Sequence, residues 1–172
     1  DPSHAEKFCN LFQHVKLFTN HVNITFYEDR MYLQTMDSSR VSIFEIYLPN
    51  EWFNTYDYTH DEPINLGLNA DILFKVLNTR DKQQNLQLVF DPEQSDKLLI
   101  HFVCDNKKIF DKHFEIPLME IDVELMNIPE FESDADIMIP SSNFAEIINQ
   151  LQIFGDTIEF KCTEEQIQLC SI

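Results

Sequence analysis

Asp57, His60 and Asp61 bring three possible metal ligands into one short stretch, and Asp37, Ser38, Ser39 and His60 contain every side-chain type of a serine-hydrolase triad. The first set has neither Cys-x-x-Cys spacing nor the helical His-Glu-x-x-His arrangement that fixes zinc ligands on one face, so it reads as polar decoration of a loop. The second lacks the glycine-flanked elbow that strains a serine into an exposed nucleophile, and reads as chance co-occurrence. Only two glycines are present, Gly67 and Gly155. Neither a phosphate-cradling loop nor a dinucleotide-binding turn can be built from them, because both require several points of close backbone approach to phosphate. His14, His21, His101 and His113 fall in helical or strand patterns and read as surface or hydrogen-bonded side chains. No catalytic residue, cofactor or metal is expected, and the chain does not read as an enzyme.

The composition bounds what else it can be. With 44% hydrophobic residues in 172, the chain can form one ordinary domain, or one domain and part of another, around a packed core. Its 15 Phe, together with Ile, Leu and Val, favour pleated, half-buried surfaces, so many strands are expected. A formal charge of -18 would repel a phosphate backbone if it were spread evenly, so any nucleic-acid contact must be local. No basic segment followed by an apolar one opens the chain, and no apolar run approaches the roughly 20 residues that span a bilayer. A secreted or membrane protein is therefore not expected. Cys9, Cys104, Cys162 and Cys170 are too dispersed for a disulfide scaffold, which suits a reducing cytosol or nucleus.

The elements follow from periodicity. Ser3 and Glu6 have capping-box spacing, and Phe8, Leu11, Phe12, Val15 and Phe18 then recur on one helical face. Val22, Ile24 and Phe26 alternate as a strand, Glu28-Asp29-Arg30 turns the chain, and Met31, Leu33 and Thr35 begin the return. A third strand is expected from Val41 to Leu48 and a fourth from near Ile64 to Asn69. Asn69 should cap a second helix bearing Ile72, Leu73, Val76 and Leu77, followed by strands Leu86 to Phe90 and Leu98 to Val103 around a Pro92-centred turn. The pattern recurs once more. Ser141 or Ser142 should cap a helix with Phe144, Ile147, Ile148 and Leu151, Gly155 should end it, and strands Thr157 to Cys162 and Gln166 to Cys170 follow. Three helix-plus-hairpin units at intervals of roughly 65 to 70 residues imply internal duplication of half-domains.

Between Met119 and Asp134 the periodicity gives way to Glu120, Asp122, Glu124, Glu130, Glu132 and Asp134, interleaved with Leu125, Met126, Ile128, Pro129 and Phe131. This reads as a connector between domains. Apolar side chains on an exposed linker call for a surface to dock on, so the linker is a candidate part of a binding site.

The run Leu33-Gln34-Thr35-Met36-Asp37-Ser38-Ser39-Arg40-Val41 is, by its chemistry alone, a strand end and a tight turn closed by Asp and Ser side chains. It also resembles the Met-Asp-Ser-Ser-His-Val of PCNA-type DNA sliding clamps. Ile121-Asp122-Val123-Glu124 with Ile128-Pro129-Glu130 is similar to their interdomain connector, at the expected distance. Further matches at Phe53-Asn54-Thr55-Tyr56, Gly67-Leu68-Asn69, Leu88-Val89-Phe90, Met138-Ile139-Pro140-Ser141, Phe144-Ala145 and Gly155-Asp156 extend the resemblance over nearly the whole chain.

The resemblance implies an α+β DNA-clamp (processivity) fold of repeated helix-plus-β-hairpin half-domains, with helices on the inner face and antiparallel sheets outside. It implies a first clamp domain at 1–118, an interdomain connector at 119–134, and the first half of a second domain at 135–172. The implied role is a ring that encircles duplex DNA as a polymerase processivity factor in replication and repair. Implied partners are a clamp loader and the client peptides of polymerases, ligases and nucleases, which insert a short 3₁₀-forming segment with aromatic anchors. Met36, Arg40, Val41, Ile43, Met126, Ile128 and Pro129 match the family's client-binding positions, with Arg40 where a histidine is usual. Ser133 replaces a family tyrosine, and Phe131 is the expected substitute.

Lys16 and Lys75 match inner-face positions that contact DNA phosphates, and Lys7, Arg80 and Lys82 can add to them; Glu146 and Asn149 stand where the family usually has arginines. Phe114 matches a subunit-interface position on the first domain's edge strand. Family members are longer, so the sequence is expected to be a fragment of a homotrimer subunit, acting in the nucleus or, if viral, at a cytoplasmic replication site. Two rival readings share the motifs: a checkpoint-clamp-like subunit that assembles with unlike partners, and a truncated decoy that binds clamp clients without encircling DNA.

Overall fold

The computed structural model describes residues 1–37, 39–91, 96–122, 125–130 and 132–172. They form two compact units, Asp1–Leu125 and Met126–Ile172.

The first unit begins with helix α1 (Pro2–Phe18). Asp1, not the Ser3 and Glu6 pair, caps it: the Asp1 carboxylate accepts from the backbone N–H of Ser3 at 2.9 Å and of His4 at 3.0 Å. Pro2 occupies the first turn, where its missing N–H costs nothing, so the helix starts earlier than the capping-box spacing predicts. Ala5, Phe8, Phe12 and Val15 form the buried stripe. Strands β1 (His21–Phe26), β2 (Arg30–Met36), β3 (Ile43–Pro49) and β4 (Ile64–Asn69) make an antiparallel sheet in the order β3-β2-β1-β4. Val22, Ile24, Met31, Leu33, Ile46, Leu48, Leu66 and Leu68 alternate toward the core. β3 starts at Ile43, not at Val41, because the turn closed by Asp37 and Ser42 takes up Val41.

Helix α2 (Ala70–Leu77) opens as predicted on Asn69, whose side chain accepts from the Ile72 N–H at 3.0 Å. Strands β5 (Asn85–Phe90), β6 (Lys97–Val103) and β7 (Lys112–Pro117) follow in a second antiparallel sheet of order β5-β6-β7. The predicted Pro92 turn lies outside the described residues. β7 is the element that periodicity alone does not reveal: it is short, ends in Pro117, and presents only Phe114 and Ile116 inward. One continuous core joins α1, α2 and both sheets. Tyr56 ties the long β3–β4 connection to the β1–β2 turn, its hydroxyl lying 2.6 Å from the Tyr27 carbonyl and 2.7 Å from that of Arg30. Burial is the main cause pushing this phenol up to about 12.

The second unit holds helix α3 (Ser141–Leu151) and the hairpin β8 (Ile158–Cys162) and β9 (Ile167–Ser171). Pro140 occupies the cap position with no side-chain hydrogen bond, so neither Ser141 nor Ser142 is the cap; Ser141 is already helical. No described residue of this unit is fully buried, although Phe144 and Phe160 approach at 6.3 Å between ring centroids. The helix-plus-hairpin pattern thus occurs three times along the chain, beginning at α1, α2 and α3.

The turn from α2 into β5 is fastened by Gln84, which is fully buried. Its Nε2 donates to the carbonyls of Phe102 (3.2 Å) and Phe110 (2.9 Å), and its Oε1 accepts from the Asp81 N–H at 2.8 Å. Gln84→Leu keeps the shape and removes the side-chain partner of all three peptide groups, of which the Phe102 carbonyl is the buried one. A loss of about 2 kcal/mol is expected in urea denaturation, with no change in secondary structure by circular dichroism.

Candidate functional site

The turn between β2 and β3 is organised by one carboxylate. Asp37 Oδ1 accepts from the N–H groups of Val41 (2.9 Å) and Ser42 (2.8 Å), and Oδ2 accepts from the Ser39 hydroxyl. Main-chain bonds close the same turn, from Asp37 N–H to the Ser42 carbonyl (3.1 Å) and from Arg40 N–H to the Asp37 carbonyl (3.0 Å). Arg40 has φ of 58° and is the one described non-glycine residue in the left-handed region, a conformation that costs about 1 kcal/mol outside glycine. The Asp37 network offsets that cost. Its result is presentation: Val41 is 83% and Ile43 40% exposed, with Met36 half-buried beside them as the register partner of Ile43.

Away from this turn, toward the opposite ends of β2 and β3, the sheet face turned away from the core carries aromatic and charged side chains. Arg30 lies over the Tyr27 ring at 4.4 Å and near Tyr47 at 5.6 Å, and the Tyr32 hydroxyl donates to Glu45. Burial first, and then the Glu45 carboxylate that accepts its proton, push Tyr32 up to about 12. At the other edge of the same sheet, β4 meets the start of the acidic segment: Met119 N–H donates to the Gly67 carbonyl at 3.0 Å, and Leu118 N–H to that of Asp96 at 2.8 Å.

In the second unit Met126 is half-buried and Ile128 and Pro129 are exposed; Phe131 lies outside the described residues. These four, predicted from resemblance as one set with Met36, Arg40, Val41 and Ile43, thus fall in a different unit of the chain from the β2–β3 turn.

The candidate cations are placed as follows. Lys16 on α1 sits with Nζ 3.8 Å above the Phe74 ring of α2. Lys75 pairs with Asp71 one turn back at 2.6 Å. Lys7 and Lys82 are exposed. Arg80 donates to the carbonyls of Gln84 (2.7 Å), Asp81 (3.0 Å) and Lys82 (3.3 Å), so its guanidinium has a structural task in the α2–β5 turn. Phe114 points inward from β7 and meets Phe102 edge-on at 5.9 Å. On α3, Glu146 accepts from Gln150 and Asn149 from Gln152, both at 3.3 Å along the helix surface. Among the described residues no group of three or more His, Cys, Asp or Glu is placed to hold a metal ion.

Comparison with known proteins decides what this framework is. The profile of the proliferating cell nuclear antigen N-terminal domain matches residues 3–125. The chain belongs to the proliferating cell nuclear antigen family. It is 31% identical over 147 residues to the proliferating cell nuclear antigen of Saccharomyces cerevisiae, an alignment covering 86% of this chain and 55% of the yeast protein. The chain therefore spans about half the length of that relative. A crystal structure of PCNA from Thermococcus kodakaraensis superposes with a TM-score of 0.79 at 18% identity, covering 96% of this chain and 64% of the archaeal one. The fold is accordingly the α+β DNA-clamp fold of helices and antiparallel sheets, and the family is one of non-enzymatic clamps.

Several features of the chain are not legible in its sequence. Nothing in Asp-Lys-Gln-Gln-Asn marks Gln84 as the buried member, and the contact at Gly67 required knowing which segment crosses it. The central role of Asp37 could be anticipated, since Asp and Ser are the residues that bond their own backbone.

The Asp37 network makes a pH prediction. Chiefly the Ser39 hydroxyl, then the Ser42 N–H, hold the carboxyl down from 3.8 to about 2. The contribution to turn order is fully present above 3.8 and is lost as pH falls through about 2. Loss of protection of the Val41 and Ser42 amides, measured against their intrinsic exchange rate at each pH, should appear only at that acid limit. In Asp37→Ala it should already be present at neutral pH, with the thermal midpoint little changed; amide exchange by NMR reads both.

Proposed function

We propose that the chain serves as part of a sliding-clamp subunit that encircles duplex DNA and acts as a processivity factor and docking platform for replication and repair proteins. The observation that carries the reading is membership of the clamp family across residues 3–125, in a chain whose helix-plus-hairpin units take the DNA-clamp fold. Domain boundaries at 118 and 134 are proposed with it, as are assembly into a homotrimer, loading by a clamp loader and action in the nucleus.

DNA contact, in this reading, is sequence-independent. Lys16, Lys75, Lys7, Arg80 and Lys82 meet phosphates, while the -18 net charge keeps other surfaces away from the duplex. The grip is weak, because Asp71 competes for Lys75 and because Glu146 and Asn149 supply no cation on α3. Weak contact suits a sliding ring, which needs topology more than affinity. Clients of the polymerase, ligase and nuclease class dock through apolar anchors, with Met36, Arg40, Val41 and Ile43 on the β2–β3 hairpin and Met126, Ile128, Pro129 and Phe131 on the connector as the proposed contacts. Phe114 is proposed to support subunit contact from within β7, since its ring stiffens that edge strand from the core side.

Glu146 and Asn149 favour one second reading, a decoy that captures clamp clients without holding DNA. A pull-down from replicating-cell extract with and without nuclease separates the two: a clamp enriches DNA along with clients, whereas a decoy retains clients alone. Fluorescence anisotropy on duplex DNA tests the phosphate contacts. Lys16→Ala and Lys75→Ala should each weaken binding about equally on unrelated sequences and lower the salt slope by about one. Unchanged slopes in both variants would remove these lysines from the interface.

A further inference from the structure

We propose that Gly67 is a positioning residue for the connector: its missing side chain is the seat on which the segment from Met119 to Ile121 lies, and filling that seat weakens client binding at a distance. The inference rests on the docking role proposed above.

Gly67 sits in mid-strand in β4, opposite Asn23 of β1. A glycine there normally costs stability through its backbone freedom, so a reason for it must be found. Backbone conformation is not the reason, since no described glycine has a positive φ and a residue with a side chain could adopt the same angles. Space is the reason. A Cβ at this position would run into the Met119 carbonyl oxygen and stand 2.9 Å from Ile121 Cγ1 and 3.0 Å from Ile121 Cδ1. The oxygen belongs to the backbone and has no rotamer by which to withdraw.

Leu66 and Leu68, on either side, point into the core, so alternation aims the Gly67 gap at the opposite face of the sheet, where the segment crosses. The Met119 N–H to Gly67 carbonyl bond, 3.0 Å, fixes the same crossing from the connector's side. A groove of about 540 Å³ lies beside it, lined by Asn23, Asn65, Phe90, Glu120 and Asp122 among others, and a second main-chain bond, from the Leu118 N–H to the Asp96 carbonyl at 2.8 Å, holds the start of the segment. Glycine at 67 and the hydrogen bond together set where the connector leaves the first sheet. Residues further along it inherit that starting point, and preorganisation of a binding segment is the usual way a remote residue changes affinity.

Two variants of the 172-residue chain test this. Gly67→Ala fills the seat, and Met119→Pro removes the donor, its ring Cδ taking the place of the hydrogen that faces the Gly67 carbonyl. Amide exchange at 118–122 and at Leu66 and Leu68 is followed by NMR. Affinity is read by anisotropy with a fluorescein-labelled client-type peptide carrying aromatic anchors. Both variants should speed exchange at 118–122 while Leu66 and Leu68 stay protected, and should weaken peptide binding about tenfold. Protected amides at 118–122 in Gly67→Ala, or loosened amides with unchanged peptide affinity, would overturn the proposal. Should Gly67→Ala fail to fold, Met119→Pro decides by the same two outcomes. A wild-type chain that binds no peptide, with 118–122 still loosened by both variants, would count against the docking function and leave Gly67 as the seat of the segment.

Discussion

The packing of α1 against α2 is the constraint on which the first unit depends. The two helices share one core with both sheets, and neither sheet can bury its apolar face alone. Phe8, Phe12 and Val15 from one helix and Leu73 and Leu77 from the other bring both faces into a single core. Two contacts mark the seam: Cys9 Sγ donates to the Leu77 carbonyl at 3.6 Å, and Lys16 caps the Phe74 ring. Burial pushes the Cys9 thiol up, which keeps it protonated and suited to that donor role. The second unit shows what the same motif lacks without such a seam: α3 and its hairpin retain their secondary structure, yet Phe144, Ile147, Ile148 and Leu151 find no fully buried site among the described residues.

How far the sequence could be read follows from which signals are local. Helix and strand periodicities are, and they predict α1, α2 and eight of the nine described strands to within about two residues, the precision at which helix and strand ends are defined; α3 is predicted at its start, but it ends at Leu151 with Gln152 as its C-cap and not at Gly155. Caps are less secure because neighbouring polar residues compete: Asp1 outdoes Ser3, and Pro140 leaves Ser141 no capping role. β7 was out of reach of periodicity, since two inward residues in a short strand do not establish an alternation. Long-range partners were illegible for a different reason. The environments of Gln84 and Gly67 are made by Phe102, Phe110, Met119 and Ile121, which come from elsewhere in the chain. The candidate site divides in the same way. Asp37 and its turn could be read locally, whereas the roles of Met36, Val41, Ile43, Met126, Ile128, Pro129 and Phe131 came from resemblance.

The charge distribution carries a related lesson. Thirty acidic and twelve basic residues would exclude DNA if charge acted as a sum, yet a clamp needs only a few cations in one place. Several of those cations are already committed. Arg80 is bound into its turn and Lys75 to Asp71; Lys97, outside the candidate set, pairs with Glu115, whose carboxylate raises the lysine's pKa. Lys16 is different: an aromatic face orients its ammonium group without neutralising it, so the full charge remains available to a phosphate.

A connector that is both acidic and apolar makes sense on the same logic. The carboxylates at Glu120, Asp122 and Glu130 keep the segment solvated and disfavour nucleic acid, while Leu125 and Ile128 stay exposed, which suits the anchoring role proposed for the segment. An anchor is useful to a partner only if its position is reproducible. A flexible chain would offer the same side chains at a larger entropic cost to whatever binds them. Fixing one end is the economical solution, because each ordered residue near the start restricts all those that follow. In the proposal made above the first sheet does this with the gap at Gly67 and the carbonyl that accepts the Met119 N–H, two features that add no surface of their own.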